Sequence, residues 1–310
     1  MYIKNMRNTN VGKVESAWSV TMVREHLQQG LKDDGWPFDW TAIGTAKNPD
    51  AVLEARIVAK ARGVFAGAGV VEAVSQVSQE LGLPIETTAK FRDGDRVKPK
   101  DLVAVWKGPA RSVLALERPF LNIVSYMSGI ATATAALVDE VEKAARKQKI
   151  AQPPRVTSTR KTLPGYRDLA VYGVLCGGGF SHRVSLSGGV LIKENHIAAA
   201  GGVEKAVTGA RAIAPHGLRV EIEVTNHSEL EEAVNAGADV VMLDNFTARE
   251  VEKSMKTLKR LGTDSVIIEV SGGISLESIG SYVIPGVNVI SSGSLTHSVK
   301  ALDLSLLVVK

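Results

Sequence analysis

The sequence contains very little cysteine. One residue in 310, Cys176, carries a thiol, so an intrachain disulfide is excluded and a reducing, cytoplasmic location is expected. The chain also lacks a long uninterrupted apolar run, and its first ten residues have no apolar core of the kind found in a signal peptide. We therefore expect no membrane partner.

Neither sign of charge is strongly in excess. The 37 Lys and Arg residues outnumber the 33 Asp and Glu residues by only four, and they are spread along the chain instead of forming a basic stripe or tail. This distribution argues against a nucleic-acid partner and favours a local site for small anions. The content of 45% hydrophobic and 23% charged residues is ordinary for a globular protein, and the length allows one large domain or two.

The first part of the chain predicts a small α+β domain. Between residues 52 and 62, apolar and charged residues alternate, which is typical of a strand with one buried face. Strands that expose one face, combined with helices, indicate an open sheet covered on one side. Residues 1–13 are polar and expected to be loose, and Ser16 is expected to cap the first helix. The other predicted elements are helices at 16–29 and 67–81 and strands at 86–92 and 102–106.

The second part predicts a parallel sheet. A long helix is expected from about Leu116 to Lys147, interrupted at Gly129 and ended by Pro153 and Pro154. Short Val/Ile/Leu-rich strands then alternate with helices, a pattern typical of a closed or nearly closed βα barrel. The predicted strands are 155–158, 190–192, 220–224, 240–243, 266–270 and 287–290, and the last four are separated by predicted helices at 228–236, 248–261 and 276–283.

The residues that follow the predicted strands are polar. Active sites of βα barrels lie at the carboxyl ends of the strands. Solvent exposure of the loops is enough to explain a polar residue at any single strand end. It explains polar residues at all six strand ends together much less well. The strand ends carry Arg160 and Lys161; Lys193 and Glu194; Glu223; Asp244 and Asn245; Ser271, Gly272 and Gly273; and Ser292 and Gly293.

The last two strand ends predict a phosphate site. Barrels often bind phosphate with the loops after their final strands, where glycine lets main-chain N–H groups approach the anion. Arg160, Lys161 and Lys193 add fixed positive charge at the same edge, and His182 and Arg183 follow a run of glycines. His196 is expected to have a structural role, orienting Lys193.

Two carboxylates accompany these cations. Glu223 and Asp244 would weaken anion binding unless they bind ribose hydroxyls or a divalent cation. The strand ends therefore predict a phosphorylated sugar and a second anionic substrate. The residues alone do not identify that second substrate.

Eight short motifs follow one another along the chain. They are ERPFLNIVSYMSGIATAT from Glu117, TRKTLPGYRDL from Thr159, CGGGFSHR from Cys176, LIKENHI from Leu191, VEIEV from Val220, VVMLDNF from Val240, EVSGGI from Glu269 and SSGSLTHS from Ser291. In their order and spacing, these motifs make the chain resemble the quinolinate phosphoribosyltransferase family. The resemblance extends from about Leu31 to Leu307 and departs from the usual family residues at Pro119, Phe120, Phe180, Ser181 and Gly188.

This resemblance implies a fold, an assembly and an activity. The expected α/β fold has an N-terminal α+β open-faced sandwich domain (residues 1–128, with 295–310 packing back on it) and a C-terminal incomplete parallel βα barrel (residues 129–294). The expected assembly is a homodimer or a higher even homo-oligomer with shared active sites. The expected reaction, part of de novo NAD biosynthesis, converts quinolinate and phosphoribosyl pyrophosphate to nicotinate mononucleotide, CO₂ and pyrophosphate.

The resemblance also implies roles for individual residues. Catalytic roles fall to Lys161, Glu223 and Asp244, and the cofactor is Mg²⁺, which Glu223 and Asp244 would hold directly or through water. The expected substrate contacts are Arg118 reaching into the neighbouring subunit; Arg160, His182, Arg183 and Lys193 with the quinolinate carboxylates; Lys161 and Lys193 with the phosphoribosyl substrate; Glu223 and Asp244 with the ribose; and Ser271, Gly272, Gly273, Ser292 and Gly293 with the 5-phosphate.

Two other functions fit part of this pattern. A related phosphoribosyltransferase could use nicotinate or another base, but a monocarboxylate needs fewer cations than the chain offers. A non-catalytic relative could bind only an oxyanion or a phosphosugar, as in the molybdenum-transport-associated relatives. The presence of both Glu223 and Asp244 favours a catalyst.

Overall fold

The structure, a computed structural model, describes residues 15–263 and 265–309. The expected loose segment 1–13 therefore lies outside the described residues. The chain divides into two compact units. The first contains the described part of residues 1–133 with 168–178 and 299–309, and the second contains 134–167 and the described part of 179–298.

The described residues form helices and strands in the following order along the chain. The helices are α1 (Glu15–Asp33), α2 (Trp40–Thr45), α3 (Ala68–Glu80), α4 (Ala110–Gln148), α5 (Arg167–Cys176), α6 (Glu194–Ala200), α7 (Val203–Ile213), α8 (His227–Asn235), α9 (Ala248–Leu261) and α10 (Ser294–His297). The strands are β1 (Val52–Ala59), β2 (Gly63–Val64), β3 (Glu86–Ala89), β4 (Arg96–Val97), β5 (Leu102–Pro109), β6 (Arg155–Thr157), β7 (Val190–Ile192), β8 (Val220–Val224), β9 (Val240–Asp244), β10 (Ile267–Ser271), β11 (Val289–Ser291) and β12 (Leu304–Val309).

The first unit contains a four-stranded antiparallel sheet in the order β12-β1-β5-β3. The predicted alternation of β1 is confirmed, because Ala55 and Ile57 are buried whereas Glu54 and Arg56 are exposed. On β5, Trp106 is fully buried and packs edge-on against Phe120 of α4 at 4.7 Å between ring centroids. The last strand of the chain, β12, pairs with β1 and forms one edge of this sheet.

The second unit contains a six-stranded parallel sheet in the order β6-β11-β10-β9-β8-β7. All six predicted strands are present, with boundaries within about two residues of the prediction. The two edge strands, β6 and β7, do not pair with each other among the described residues, so the sheet forms an incomplete barrel, as predicted. Phe180 lies beside β6 and donates its main-chain N–H to the carbonyl oxygen of Val156 at 2.8 Å.

Several predicted helix details are wrong. Helix α1 already includes Glu15, so Ser16 is not its first residue. Helix α4 begins at Ala110, directly after β5, so Pro119 lies in its third turn instead of the first. The same helix continues through Gly129, where an interruption was predicted.

The helix predicted at 276–283 is a single 3₁₀ turn, Ile279–Tyr282. Serine side chains compete with the helical hydrogen-bond pattern just before it, since Ser278 Oγ accepts a 3.0 Å hydrogen bond from the main-chain N–H of Ser275. The Ser275 hydroxyl in turn donates to Glu277 at 2.6 Å. These local bonds favour a turn at the point where the apolar pattern predicted a helix.

Among the described residues, α4 is the one helix that is long and apolar enough to cross a membrane by length and composition. In its most apolar window, however, 67% of the residues are buried inside the protein. Two of its hydroxyls also bind the main chain of the first unit: Ser128 accepts from Ala66 N–H at 3.0 Å and Thr132 from Val64 N–H at 2.8 Å. We therefore interpret α4 as a core helix.

Gly129 has a packing role in α4. A Cβ atom at this position would lie 2.8 Å from the Cα of Ala301, a main-chain contact that a side-chain rotation cannot relieve. We expect Gly129→Ala to lower the free energy of unfolding by about 1–3 kcal/mol. The matched control is Gly209→Ala in α7, where a Cβ meets nothing within 4 Å and alanine should stabilise the helix by up to about 1 kcal/mol. Denaturant unfolding of the two variants measures both effects, and equal effects would contradict the packing role.

Candidate active site

The predicted site residues of the second unit lie at one edge of its sheet. Parallel strands bring their carboxyl ends to the same edge, and the expected residues follow β6, β7, β8, β9, β10 and β11 there. His182 and Arg183 lie in the segment that runs from Phe180, beside β6, to β7. Arg118 belongs to the first unit, where its side chain is 61% exposed and lies 3.9 Å from Glu117.

Two arginines at this edge, Arg160 and Arg183, act on each other electrostatically. The Arg183 guanidinium is partly buried, and burial together with the charge of Arg160 lowers the pKa of Arg183 from its ordinary value. Arg183 Nη1 donates to the Gly189 carbonyl oxygen at 3.0 Å. The Nε atoms of both arginines are buried and have no hydrogen-bond partner among the described residues. The two side chains thus combine mutual repulsion with donors that lack acceptors.

Lys193 and Glu223 form an ion pair across β7 and β8. Glu223 is mostly buried, with a side-chain exposure of 18%, whereas Lys193 is 46% exposed. The main-chain N–H of Lys193 donates to His196 Nδ1 at 2.9 Å in a capping arrangement at the start of α6. This geometry agrees with the expectation that His196 orients Lys193.

Asp244 ends β9 beside the loop that follows β10. The strand register pairs Asp244 with Ser271 and Met242 with Glu223, so Asp244 and Glu223 face the same side of the sheet. Asp244 accepts a 2.8 Å hydrogen bond from the Asn245 side chain. The carboxylates of Glu223 and Asp244 therefore flank the end of this sheet on adjacent strands.

The backbone of the loop after β10 favours glycine at positions 272 and 273. Gly272 and Gly273 both have positive φ values, +93° and +59°, a region that side-chain-bearing residues rarely adopt. A Cβ on Gly272 would also lie 2.7 Å from the main-chain nitrogen of Asn245. Without side chains at these two positions, a ligand could approach the main-chain N–H groups closely, as in an anion-binding turn.

The loop after β11 meets Lys161. A Cβ on Gly293 would lie 3.2 Å from the Lys161 side chain and 3.0 Å from the His297 ring. Thr296 donates its hydroxyl to the Lys161 carbonyl oxygen at 2.9 Å. Ser292 is only 3% exposed and donates to the Ile274 carbonyl oxygen at 2.9 Å, so its hydroxyl ties the two glycine loops together.

The sequence interpretation missed two buried carboxylates, Glu221 of β8 and Glu269 of β10. They are 8% and 3% exposed, and His182 Nε2 lies 3.1 Å from Glu221 Oε2 and 3.6 Å from Glu269 Oε2. A signal was present in VEIEV, because a parallel strand covered on both faces is expected to be apolar throughout. Glutamates at both 221 and 223 mark one face of β8 as polar.

Ionisation of this cluster departs from ordinary values. Burial and the neighbouring charge of Glu221 raise the pKa of Glu269 to about 7. Burial lowers the pKa of His182, but its hydrogen bond to Glu221 and the negative charges of Glu221 and Glu269 outweigh burial and leave the pKa raised. His182 and Glu269 thus both keep a proton to a higher pH than the free side chains do.

The ligand atoms of His182, Glu221 and Glu269 lie within 4.8 Å of one another, close enough for a divalent cation. The hydrogen bonds argue against one. A neutral imidazole that binds a metal through Nε2 carries its proton on Nδ1, but His182 Nδ1 already accepts a 2.8 Å hydrogen bond from the main-chain N–H of Arg183. The cluster is therefore better suited to a proton than to a metal.

Comparison with known proteins gives one consistent result. Residues 39–128 match the family described as quinolinate phosphoribosyl transferase, N-terminal domain, and residues 130–307 match its C-terminal domain. The chain is 39% identical over 276 residues to the human nicotinate-nucleotide pyrophosphorylase (carboxylating), covering 89% of this chain and 88% of the human one. It is 40% identical over 273 residues to an Archaeoglobus fulgidus protein named probable nicotinate-nucleotide pyrophosphorylase (carboxylating), covering 88% and 98%.

A solved structure agrees. The nicotinate-nucleotide pyrophosphorylase from Francisella tularensis superposes with a TM-score of 0.81 at 36% identity, covering 94% of this chain and 97% of that one.

The raised pKa of Glu269 predicts a pH-dependent stability. Between pH 4.5 and 7 the folded protein keeps a proton on Glu269 that the unfolded chain releases, so this contribution to the free energy of unfolding falls as pH rises, by at most about 3 kcal/mol. Glu269→Gln cannot titrate. We expect the stability of the wild type relative to this variant to decline from pH 5 to pH 8, measured by denaturant unfolding. A difference that stays constant with pH would contradict the assignment, and Glu231→Gln on the surface of α8 is the control.

Proposed function

The chain belongs to the quinolinate phosphoribosyltransferase family, and on this premise we propose that it transfers the phosphoribosyl group of phosphoribosyl pyrophosphate to quinolinate, with decarboxylation. The products are nicotinate mononucleotide, CO₂ and pyrophosphate, and the reaction supplies NAD biosynthesis. The enzyme is a pentosyltransferase.

The arginine pair is the observation that carries this proposal. Arg160 and Arg183 each have a buried Nε–H donor without an acceptor among the described residues. The positive charges of these two guanidiniums also repel each other. A planar guanidinium matches a carboxylate, so a ligand with two adjacent carboxylates fits both donors and both charges. Lys193 would add a third cation, with His182 beside these groups. Quinolinate has this pair of carboxylates, and nicotinate has only one.

The reaction needs no protein nucleophile. The pyridine nitrogen attacks the anomeric carbon of the ribose and the bond to pyrophosphate breaks. When the adjacent carboxylate then leaves as CO₂, its electron pair stays on the ring carbon, where the positive charge of the quaternary nitrogen stabilises it, and a proton from solvent adds to that carbon. Positive charge builds on the ribose during the attack. Glu223 and Asp244 would stabilise that charge and bind the ribose hydroxyls, while Lys161 would neutralise the departing pyrophosphate.

The glycine loops would hold the 5-phosphate. Gly272 and Gly273 form the turn after β10 with positive φ values, and Gly293 lies beside Lys161 after β11. Ser271 and Ser292 would complete this cradle.

Glu223 and Asp244 could hold Mg²⁺ together with the phosphates of the substrate. Mg²⁺ commonly uses one or two protein carboxylates together with substrate phosphates, and Glu223 and Asp244 offer such a pair on adjacent strands. When bound, the ion would supply charge neutralisation for pyrophosphate. Glu223 already pairs with Lys193, so we propose that the metal arrives with the phosphoribosyl substrate.

The assembly and the location of the protein also remain proposals. We infer a homodimer or a higher even homo-oligomer in which the Arg118 of a second copy reaches the quinolinate site. The high exposure of the Arg118 side chain supports this role. A cytoplasmic location stays a prediction.

The proposed activity is tested by mixing the purified chain with quinolinate, phosphoribosyl pyrophosphate and Mg²⁺, and by following CO₂ and nicotinate mononucleotide. A parallel reaction with nicotinate tests the closest alternative enzyme. We expect both products in the reaction with quinolinate and no nucleotide in the reaction with nicotinate. Turnover of nicotinate but not of quinolinate would contradict the proposed substrate, and turnover of neither would favour a protein that only binds an oxyanion or a phosphosugar.

Arg183→Ala tests the arginine pair. Because it removes one partner of a buried charged contact, a loss of about 3–5 kcal/mol is expected, equivalent to a fall of about 200- to 5,000-fold in kcat/KM for quinolinate. The control is Arg260→Ala, which removes a surface arginine that pairs with Glu231 at 2.7 Å. Steady-state kinetics with both substrates measure the effect. Near-normal quinolinate turnover by Arg183→Ala would show that this residue does not bind the substrate.

A further inference from the structure

The buried carboxylates of Glu221 and Glu269 have no role in the reaction as proposed. Both lie inside the second unit, at 8% and 3% exposure. Burial of a carboxylate costs free energy unless it is hydrogen-bonded. Two such groups on strands separated only by β9 therefore call for a shared partner.

That partner is His182, and both of its ring nitrogens are occupied. Nε2 lies 3.1 Å from Glu221 Oε2 and 3.6 Å from Glu269 Oε2. Nδ1 accepts the main-chain N–H of Arg183 at 2.8 Å. Turning the ring over would break both sets of contacts, so the carboxylates fix the ring and the ring fixes the main chain of Arg183.

The other end of Arg183 is fixed as well. Its Nη1 donates to the Gly189 carbonyl oxygen at 3.0 Å, while its Nε is buried without a partner among the described residues. With the main chain and the tip of the guanidinium both held, the direction of the Nε–H bond is determined. This is the donor that the proposed function assigns to a substrate carboxylate.

We infer that Glu221 and Glu269 are positioning residues for the substrate: they hold the His182 ring, which holds the main chain of Arg183 and thereby aims its Nε–H at the substrate carboxylate. His182 would then act on the substrate through Arg183. The inference rests on the proposed function for the identity of the substrate. The hydrogen-bond chain itself does not depend on that identity.

The wild-type protein provides the first test, independent of activity. The proposed series of hydrogen bonds requires neutral His182 to carry its proton on Nε2, which faces Glu221, and to have no proton on Nδ1. In ¹⁵N-histidine-labelled full-length protein at pH 8, the ring nitrogen shifts should report this tautomer, and His182 is assigned as the signal that is missing from His182→Gln. A proton on Nδ1 would overturn the inference, because Nδ1 could not then accept from Arg183.

Two variants of Glu221 provide the kinetic test. Glu221→Ala leaves Nε2–H without its closest acceptor, and we expect KM for quinolinate to rise about 10-fold while KM for phosphoribosyl pyrophosphate changes by less than about 2-fold. Glu221→Gln keeps an acceptor oxygen and should stay within about 3-fold of the wild type for both substrates. Glu231→Gln removes the same charge from the surface of α8 and should change neither KM.

The outcomes separate a positioning role from a structural one. Equal changes in both KM values, or a lower kcat with KM for quinolinate unchanged, would overturn the inference. If the Glu221 variants do not fold, the tautomer of the wild type still decides it. A wild-type protein that shows the Nε2 proton but turns over no quinolinate supports the hydrogen-bond chain and contradicts the proposed function alone.

Discussion

Electrostatic repulsion between two partly buried guanidiniums is the constraint on which the rest of this site depends. Burial lowers the pKa of Arg183, and the charge of Arg160 lowers it further; each of the two side chains keeps a buried Nε–H without an acceptor among the described residues. Such an arrangement is costly in the absence of an anion and favourable in its presence. The site is therefore organised for a ligand that brings two negative groups close together.

The fold supplies the means to hold these charges. A parallel sheet brings its six carboxyl ends to one edge, so residues far apart in the chain, such as Arg160 and Glu223, come to the same region. The carboxylates then balance the cations in two ways. Glu223 pairs directly with the half-exposed Lys193, whereas Glu221 and Glu269 act from inside the sheet through His182. The site thus combines a partly exposed ion pair with buried hydrogen bonds.

The sequence was most informative where chemistry follows local patterns. The six strands and their polar ends could be predicted because hydrophobic runs and strand-end residues are local signals, and β1 kept its predicted alternation. Long-range causes could not be predicted. Gly129 looks like a helix breaker, but it lies in a continuous helix and its neighbour is the main chain near Ala301. Glu221 was overlooked because its partner, His182, lies 39 residues away in the chain.

The central claim is that the arginine pair selects a dicarboxylate. Titration calorimetry of the full chain with quinolinate, nicotinate and picolinate tests it without relying on turnover, since the three ligands share the pyridine ring and differ in their carboxylates. Charge-assisted hydrogen bonds to a second guanidinium should make quinolinate bind at least about 10-fold more tightly than either monocarboxylate. Equal affinities for quinolinate and a monocarboxylate would contradict the account, because the second carboxylate would then gain nothing from the second arginine.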